Sequence, residues 1–303
     1  MRSAVERRIM EYNTFVENIL QRIRETLTGQ IVEIREVLKN NGVRLKGLTI
    51  MDSDCCVSPT IYLERFYERY QDGEDIDGIT ESILQIYEEN RIREHVDFDE
   101  IYQYEKAKRN LYLKAVNANK NADLLKEVPH LRFLDLALLP YLQLEQSPFG
   151  NATTLIREGM LSYWNVAKEE LLADASANMQ RCMGYTLTPI LDILQDHIKE
   201  EAEEVQTEED PMMYVLFLPG LNYSAVLMTM DHIMAQVAEE LNADLYVLPS
   251  SIHEVIIIPA ADMLCLSKLT DLVKSVNETT VSSEEILSDH AYFYKRGAGY
   301  QSS

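Results

Sequence analysis

The spacing of apolar residues changes repeatedly along the chain, and this constrains the fold more than any other feature of the sequence. From Ile9 to Ile23, apolar side chains recur every three or four positions, which is typical of one helix face. The apolar residues between Val43 and Ile50 instead predict a strand. Helices and strands mix in this way to the end, without the regular alternation of a doubly wound parallel sheet. The pattern therefore predicts an α+β fold, with a mixed sheet and flanking helices.

The same criteria place the remaining elements. We predict helices at Val5–Leu27, Ile61–Tyr70, Asp75–Asn90, Asn121–Val128, Glu158–Trp164, Ala167–Gln180, Thr188–Ile198, His232–Leu241, Leu264–Val276 and Glu284–Leu287. We predict strands at Leu131–Leu144, Ala152–Ile156, Met213–Leu218, Ala225–Met228, Leu245–Leu248 and Glu254–Ile258, with the third and fourth of these paired. Pro140 predicts a bend or a sheet edge, since proline cannot donate a ladder hydrogen bond.

Two segments allow alternatives. Asn40-Asn41-Gly42 is typical of a hairpin turn, but the spacing before it equally suits a short helix that Gly42 caps. Residues Asp97 to Asn117 are predicted to be mostly helix, with a helix followed by a strand as the alternative. The domain boundary is predicted between Asn117 and Pro129. It separates an N-terminal helical and hairpin unit, residues 1–120, from a C-terminal α+β unit, residues 121–303, unless the two are lobes of one continuous domain.

Charge and composition exclude several classes of protein. The chain has 303 residues, of which 46% are hydrophobic, so it can bury a substantial core. Its formal net charge of -22 would repel a phosphate backbone, so we expect no nucleic-acid partner. No apolar stretch approaches the length that spans a bilayer, and no signal peptide is recognisable, so we expect no membrane association. The four cysteines show no disulfide-framework spacing, which favours a cytoplasmic location.

The best site candidate is the polar run Leu248-Pro249-Ser250-Ser251-Ile252-His253-Glu254 between two apolar strands. A hydrolase or transferase would use Ser250 or Ser251 as nucleophile and His253 as base, with Glu254 beside it, or His232 as an alternative base. No glycine-rich oxyanion turn accompanies these serines. We therefore expect the serines to form a turn and His253 to brace it against a carboxylate or carbonyl group.

No cofactor or metal is predicted. His253-Glu254 begins like a helical zinc motif, but Ile257 occupies the position of the second histidine. The chain has neither a phosphate-binding loop nor a dinucleotide fingerprint.

Several segments together resemble a bacterial domain-of-unknown-function family, the one numbered 5688. They are Lys39–Val43 with Leu48–Ile50, Ser58–Leu63, Pro129 with Phe133–Ala137, and Leu248–Ile256. The resemblance runs from about Tyr12 to Val276. It implies a cytoplasmic bacterial protein without an established activity. The chain departs from the family by an extension up to about Met10 and by Phe217–Leu221, where the family predicts a more polar turn.

These observations predict a non-catalytic module that binds a protein or a small ligand. The alternative is a hydrolase or transferase that uses Ser250 or Ser251, His253 and Glu254.

Overall fold

The computed structural model describes residues 10–52, 60–91, 99–147, 150–181, 184–197, 212–249, 251–260 and 265–301. Contacts divide the chain into two compact units. Unit 1 comprises Met1–Lys39, Val43–Asp97 and Ser147–Phe149, and unit 2 comprises Asn40–Gly42, Phe98–Gln146 and Gly150–Ser303. The boundary predicted between residues 117 and 129 falls inside unit 2. Compactness differs from independent folding, so the division into residues 1–120 and 121–303 stays a prediction.

Unit 1 packs three helices and a small antiparallel sheet around one core. Its elements are α1 (Tyr12–Thr26), β1 (Ile31–Leu38), β2 (Arg44–Met51), β3 (Thr60–Tyr62), α2 (Glu64–Gln71) and α3 (Ile76–Asn90). The sheet order is β1-β2-β3, and β1 pairs with β2 along its whole length, from Ile31↔Met51 to Leu38↔Arg44. The hairpin interpretation is thus confirmed. Of the positions that helical spacing indicated, Val16, Ile19, Ile23, Phe66, Ile79 and Ile83 are buried in this core.

Unit 2 contains the remaining elements. They are α4 (Asp99–Tyr102), α5 (Tyr104–Ala107), β4 (Leu111–Asn117), β5 (Leu131–Phe133), β6 (Leu136–Ser147), β7 (Gly150–Leu155), α6 (Glu158–Trp164), α7 (Lys168–Arg181), β8 (Thr186–Pro189), α8 (Ile190–His197), β9 (Tyr214–Phe217), α9 (Asp231–Glu240), β10 (Leu245–Leu248), β11 (Val255–Pro259), α10 (Leu266–Thr279), β12 (Tyr292–Lys295) and β13 (Gly299–Tyr300).

The strands of unit 2 form two sheets. One has the order β13-β12-β10-β11-β9-β8, and the other has the order β4-β6-β5, with β7 paired to β6. Every pair whose register is described is antiparallel. Helices are interspersed with these antiparallel strands, so the predicted α+β class is confirmed.

Several local predictions were wrong. Leu131–Leu144 was predicted as one strand, but the chain turns at Leu134 and Asp135 and forms the paired strands β5 and β6. Asp97–Asn117 was predicted to be mostly helix, but the described helical residues end at Asn110 and Leu111–Asn117 is strand β4, as in the alternative of a helix followed by a strand. Ala225–Met228 is not a strand, because these residues lie in the 3-10 turn Ser224–Thr229. Asn121–Val128 contains only the 3-10 turn Leu124–Lys126, and Glu284–Leu287 forms turns and one β-bridge in place of a helix.

The physical reasons are local. The Ser224 hydroxyl donates to the Leu221 carbonyl and accepts from the Leu218 N–H, which closes a turn where apolar content alone suggested a strand. Pro140 lies within β6 opposite Leu113, away from any edge. Its carbonyl accepts a hydrogen bond from the Ile156 N–H at 3.1 Å. Because proline lacks a backbone N–H, the strand loses only one donor at this position.

Residues 283–288 cross unit 2 without regular structure, and we call them the strap. Each strap carbonyl accepts a hydrogen bond, and four asparagine side-chain amides supply five of the six bonds. The six bonds run from Asn41 to Ser283 and Ile286, Asn40 to Glu284, the Ile252 N–H to Glu285, Asn117 to Leu287, and Asn277 to Ser288, at 2.7 to 3.2 Å. The asparagine amides therefore replace the ladder that a neighbouring strand would supply.

Asn41 and Asn121 bind each other within this network. The Asn41 N–H donates to Asn121 Oδ1 at 2.9 Å, and Asn121 Nδ2 donates to Asn41 Oδ1 at 3.0 Å. Asn41 has a positive φ of 59°, a conformation that asparagine adopts more readily than other non-glycine residues. Asn121 is 2% exposed, so its amide has little access to water as an alternative partner.

Asn41 offers a direct test of the strap network. We expect Asn41→Ala to lower the free energy of unfolding by about 2–4 kcal/mol, because it removes three side-chain hydrogen bonds and strains the backbone. Asn41→Gly is the matched control, since glycine tolerates the positive φ. We expect Asn41→Gly to lower the free energy of unfolding by about 1 kcal/mol less than Asn41→Ala does. Chemical denaturation measures both, and an unchanged Asn41→Ala protein would contradict the role of the network.

Asp289, next to the strap, carries the charged contact of this region. Its Oδ2 lies 2.9 Å from Lys120 Nζ, and its Oδ1 accepts from Asn277 Nδ2 at 2.9 Å. Burial alone would raise the pKa of Asp289, but the hydrogen bonds from Lys120 and Asn277, with the charges of Lys120 and His290, hold this pKa below its usual value.

The sign of this pKa shift fixes a pH dependence. The stabilisation by Asp289 is fully present above the pKa of an unfolded aspartate, about 3.9, and is lost as the pH falls through the lower folded value. We expect Asp289→Asn to lower the free energy of unfolding at pH 7 by about 1 kcal/mol or less, since the pair is partly exposed. The loss should disappear near pH 2. Denaturation across this range, with the exposed Asp271→Asn as control, measures it. An equal loss of stability at pH 7 and near pH 2 would contradict the link between the pKa of Asp289 and the stability of the fold.

Candidate functional site

The predicted site lies where the central strands of the larger sheet of unit 2 are joined. Strands β10 and β11 pair from Leu245↔Pro259 to Leu248↔Ile256, and residues 249–254 connect them. We call these connecting residues the corner. Ser250 lies outside the described residues, so its predicted role is neither supported nor opposed by the geometry.

The backbone of the corner is bonded to its surroundings. The Ile252 N–H donates to the Glu285 carbonyl at 2.9 Å, and the Pro249 carbonyl accepts from the Ser288 N–H at 3.1 Å. Both partners belong to the strap. A β-bridge between Ser251 and Ile286 lies between these two contacts. The corner and the strap therefore hold each other in place like two short neighbouring strands.

Ser251 is buried and hydrogen-bonded within the corner. The residue is 7% exposed, and its Oγ accepts from the His253 N–H at 3.0 Å. This is the local hydroxyl-to-backbone contact that stabilises turns. The contact joins Ser251 to the backbone of His253 and not to its ring. The structure therefore brings these two residues together at one turn without aligning a hydroxyl on an imidazole nitrogen, as nucleophilic activation would require.

His253 braces the corner on its outer side. Its Nδ1 lies 2.8 Å from the Asn222 carbonyl, and since a carbonyl only accepts, Nδ1 carries the hydrogen. Its Nε2 lies 3.6 Å from Glu285 Oε1, close enough for an ion pair when the ring is protonated. The ring stacks on Tyr223 at 5.9 Å between centroids. The side chain is 42% exposed, so His253 is neither buried nor fully solvated.

The other site candidates lie apart from these contacts. Glu254 precedes β11 and is half-buried, and its carboxylate makes none of the hydrogen bonds found among the described residues of the corner. His232 is exposed in the first turn of α9. Across the ranges that the structure describes, no three side chains of His, Cys, Asp or Glu come together in a way that could hold a metal ion.

A second serine with polar neighbours escaped sequence reasoning. Ser288 is fully buried, its hydroxyl donates to Asp135 at 3.1 Å, and it lies 2.8 Å from the Tyr292 hydroxyl. Tyr292 also donates to Asp135. Burial, followed by the hydrogen bond to Asp135, raises the pKa of Tyr292. Because the serine is inaccessible and has no imidazole among these contacts, this cluster anchors the end of the strap.

A cleft of about 290 Å³ opens elsewhere on unit 2. Its buried lining is apolar and consists of Leu113, Leu138, Met179, Val226 and Met230. Leu131, Ser176, Gln180, Thr229, Asp231 and His232 complete the wall and the rim. These residues come from two sheet strands on either side of β6, from β6 itself, from α7 and from the chain before and within α9. No sequence motif joins them, so no pattern along the chain could have predicted this cleft. His253 is not part of it.

Cys265 is exposed just before α10 and is not disulfide-bonded. A hydrogen bond with the Ser267 hydroxyl, assisted by the backbone N–H groups of Ser267 and Lys268, lowers the pKa of its thiol.

Comparison with known proteins places the chain in a family but assigns no chemistry to it. None of the helices that the structure describes combines the length and the apolar character needed to cross a bilayer. No curated protein and no solved structure matches the chain. A family model does match it, and this match covers residues 12–296 of the 303. The chain therefore belongs to DUF5688, a family of unknown function.

Proposed function

We propose that this protein acts by binding another protein or a small ligand and that it has no catalytic activity. One observation carries the proposal: in Ser251 and His253, the two described residues best suited to nucleophilic chemistry, Ser251 Oγ and His253 Nδ1 bond to backbone groups of the corner itself and of Asn222. A catalytic pair would need these atoms aligned on each other and accessible to a substrate. In the corner they instead contribute to the stability of a turn.

We also propose a bacterial, cytoplasmic protein without a nucleic-acid partner. The bacterial source is what the resemblance of the sequence motifs implies, and the exposed free thiol of Cys265 suits a reducing compartment. The formal net charge of -22 opposes phosphate binding.

Substitution of the corner residues tests the non-catalytic role. We expect Ser251→Ala and His253→Ala each to lower the free energy of unfolding by about 1 kcal/mol, because each loses a hydrogen bond that fixes the turn. His290→Ala is the matched control, because this imidazole is exposed in the same unit. Its stability should stay within about 0.5 kcal/mol of the parent protein. Thermal and chemical denaturation measure these differences.

Turnover measurements test the competing hydrolase or transferase. We expect the purified protein to leave a panel of generic esters and phosphoesters at the uncatalysed rate, and His253→Ala to change nothing. Hydrolysis that is lost in His253→Ala but retained in His290→Ala would overturn the proposal. If Ser251→Ala retained that hydrolysis, the nucleophile would be Ser250 or a water molecule activated by His253.

A further inference from the structure

We propose that the cleft of unit 2 binds a small organic amine, with the apolar body of the ligand on the buried floor and its protonated nitrogen at Asp231. The inference rests on the proposed binding role, because it names the class of ligand. The ligand must be small, because the cleft has a volume of about 290 Å³. This volume is near the lower limit of small-molecule sites, which run from about 300 to 1,000 Å³.

The floor of the cleft favours an apolar body. Leu113, Leu138, Met179, Val226 and Met230 are all at most 9% exposed and line the cleft without a charged group among them. Two of the five are methionines, whose flexible thioether side chains adjust to irregular shapes and make favourable contacts with aromatic rings. The floor therefore tolerates a flat aromatic group as well as an aliphatic one.

The rim favours a positive charge. Among the described residues that line the cleft, Asp231 is the only carboxylate, and it is exposed, so a ligand can reach it. Its Oδ1 accepts from the Tyr294 hydroxyl at 3.1 Å, which fixes the side chain. Burial, together with the hydrogen bond to Asp231 and its negative charge, raises the pKa of Tyr294 to about 12. The negative charge of Asp231 thus acts on the Tyr294 side chain, which the fold places beside the cleft.

The hydroxyl of Thr229 reinforces this preference. It donates its hydrogen to the Val226 carbonyl at 2.7 Å, so only its lone pairs remain to meet a ligand. An ammonium group has three donors and no acceptor. It therefore complements the Asp231 carboxylate and the Thr229 hydroxyl, which can both accept hydrogen bonds. The overall charge of -22 further favours a cation over an anion. Ser176, Gln180 and His232 could donate to an anion, and the test below therefore includes one.

Three probes of matched size separate these possibilities: 2-phenylethylamine, 2-phenylethanol and phenylacetate. Binding is followed by NMR of the methionine methyl groups, because Met179 and Met230 line the floor. We expect the amine to bind about ten-fold more tightly than the alcohol, and phenylacetate to bind most weakly. Equal affinities, a preference for phenylacetate, or no shift of these methyl signals with any probe would overturn the amine assignment.

Isosteric substitution tests the charge. Asp231→Asn keeps an oxygen for the Tyr294 hydroxyl, so the fold should persist. We expect it to abolish the preference for amine over alcohol and to leave the affinity for the alcohol unchanged. Asp271→Asn, an exposed substitution on α10, is the control and should retain the preference. A preference that survives in Asp231→Asn would contradict the assignment.

Filling the cleft tests the location. Ser176→Phe should remove binding of every probe, whereas Ala177→Phe, at the next and exposed position of α7, should leave it unchanged. Failure of all three probes would reject this ligand class and leave the non-catalytic role standing, because the turnover panel tests that role separately. Hydrolysis lost in His253→Ala would reject the non-catalytic role without bearing on the cleft.

Discussion

Asparagine amides that bond to the carbonyls of residues 283–288 are the constraint on which the candidate site depends. Leu287 and Ser288 of this segment are fully buried, and its contact with a neighbouring strand-like segment is limited to the β-bridge between Ile286 and Ser251 among the described residues. A buried carbonyl without a partner would cost a large share of the stability of a domain. Side-chain amides supply the donors without requiring a regular partner strand. The segment can therefore bend where a strand could not, and its position then fixes that of the corner.

The polar residues of the corner that suggested a catalytic site make hydrogen bonds to the backbone. Ser251 closes a turn through its hydroxyl, and His253 reaches the Asn222 carbonyl through Nδ1. The cleft of unit 2 combines the exposed carboxylate of Asp231 with buried leucine, valine and methionine side chains. Such an arrangement suits recognition, because it combines an apolar surface with a single charge that sets the orientation of a ligand.

Secondary structure was predicted correctly from the sequence where the apolar residues form a clear periodic pattern. Helices α3 and α7 were predicted to within a few residues, because their apolar positions recur with helical period over three or more turns. Strands β10 and β11 were predicted because β-branched and apolar residues flank a Pro-Ser turn. Residues 111–117 and 225–228 were misassigned, because a short, mainly apolar run does not by itself distinguish a strand from a helix or a turn.

The sequence by itself determined the α+β class, most of the long elements, the membership suggested by scattered family motifs, and the acidic character that opposes nucleic acid. These properties depend on composition and on neighbours within a few positions. Only the tertiary structure decided that Ser251 serves a turn, that asparagines far apart in sequence converge on one segment, and that a cleft forms below Asp231. Each of these depends on contacts between residues separated by tens to hundreds of positions, and such contacts leave no periodic trace along a single chain.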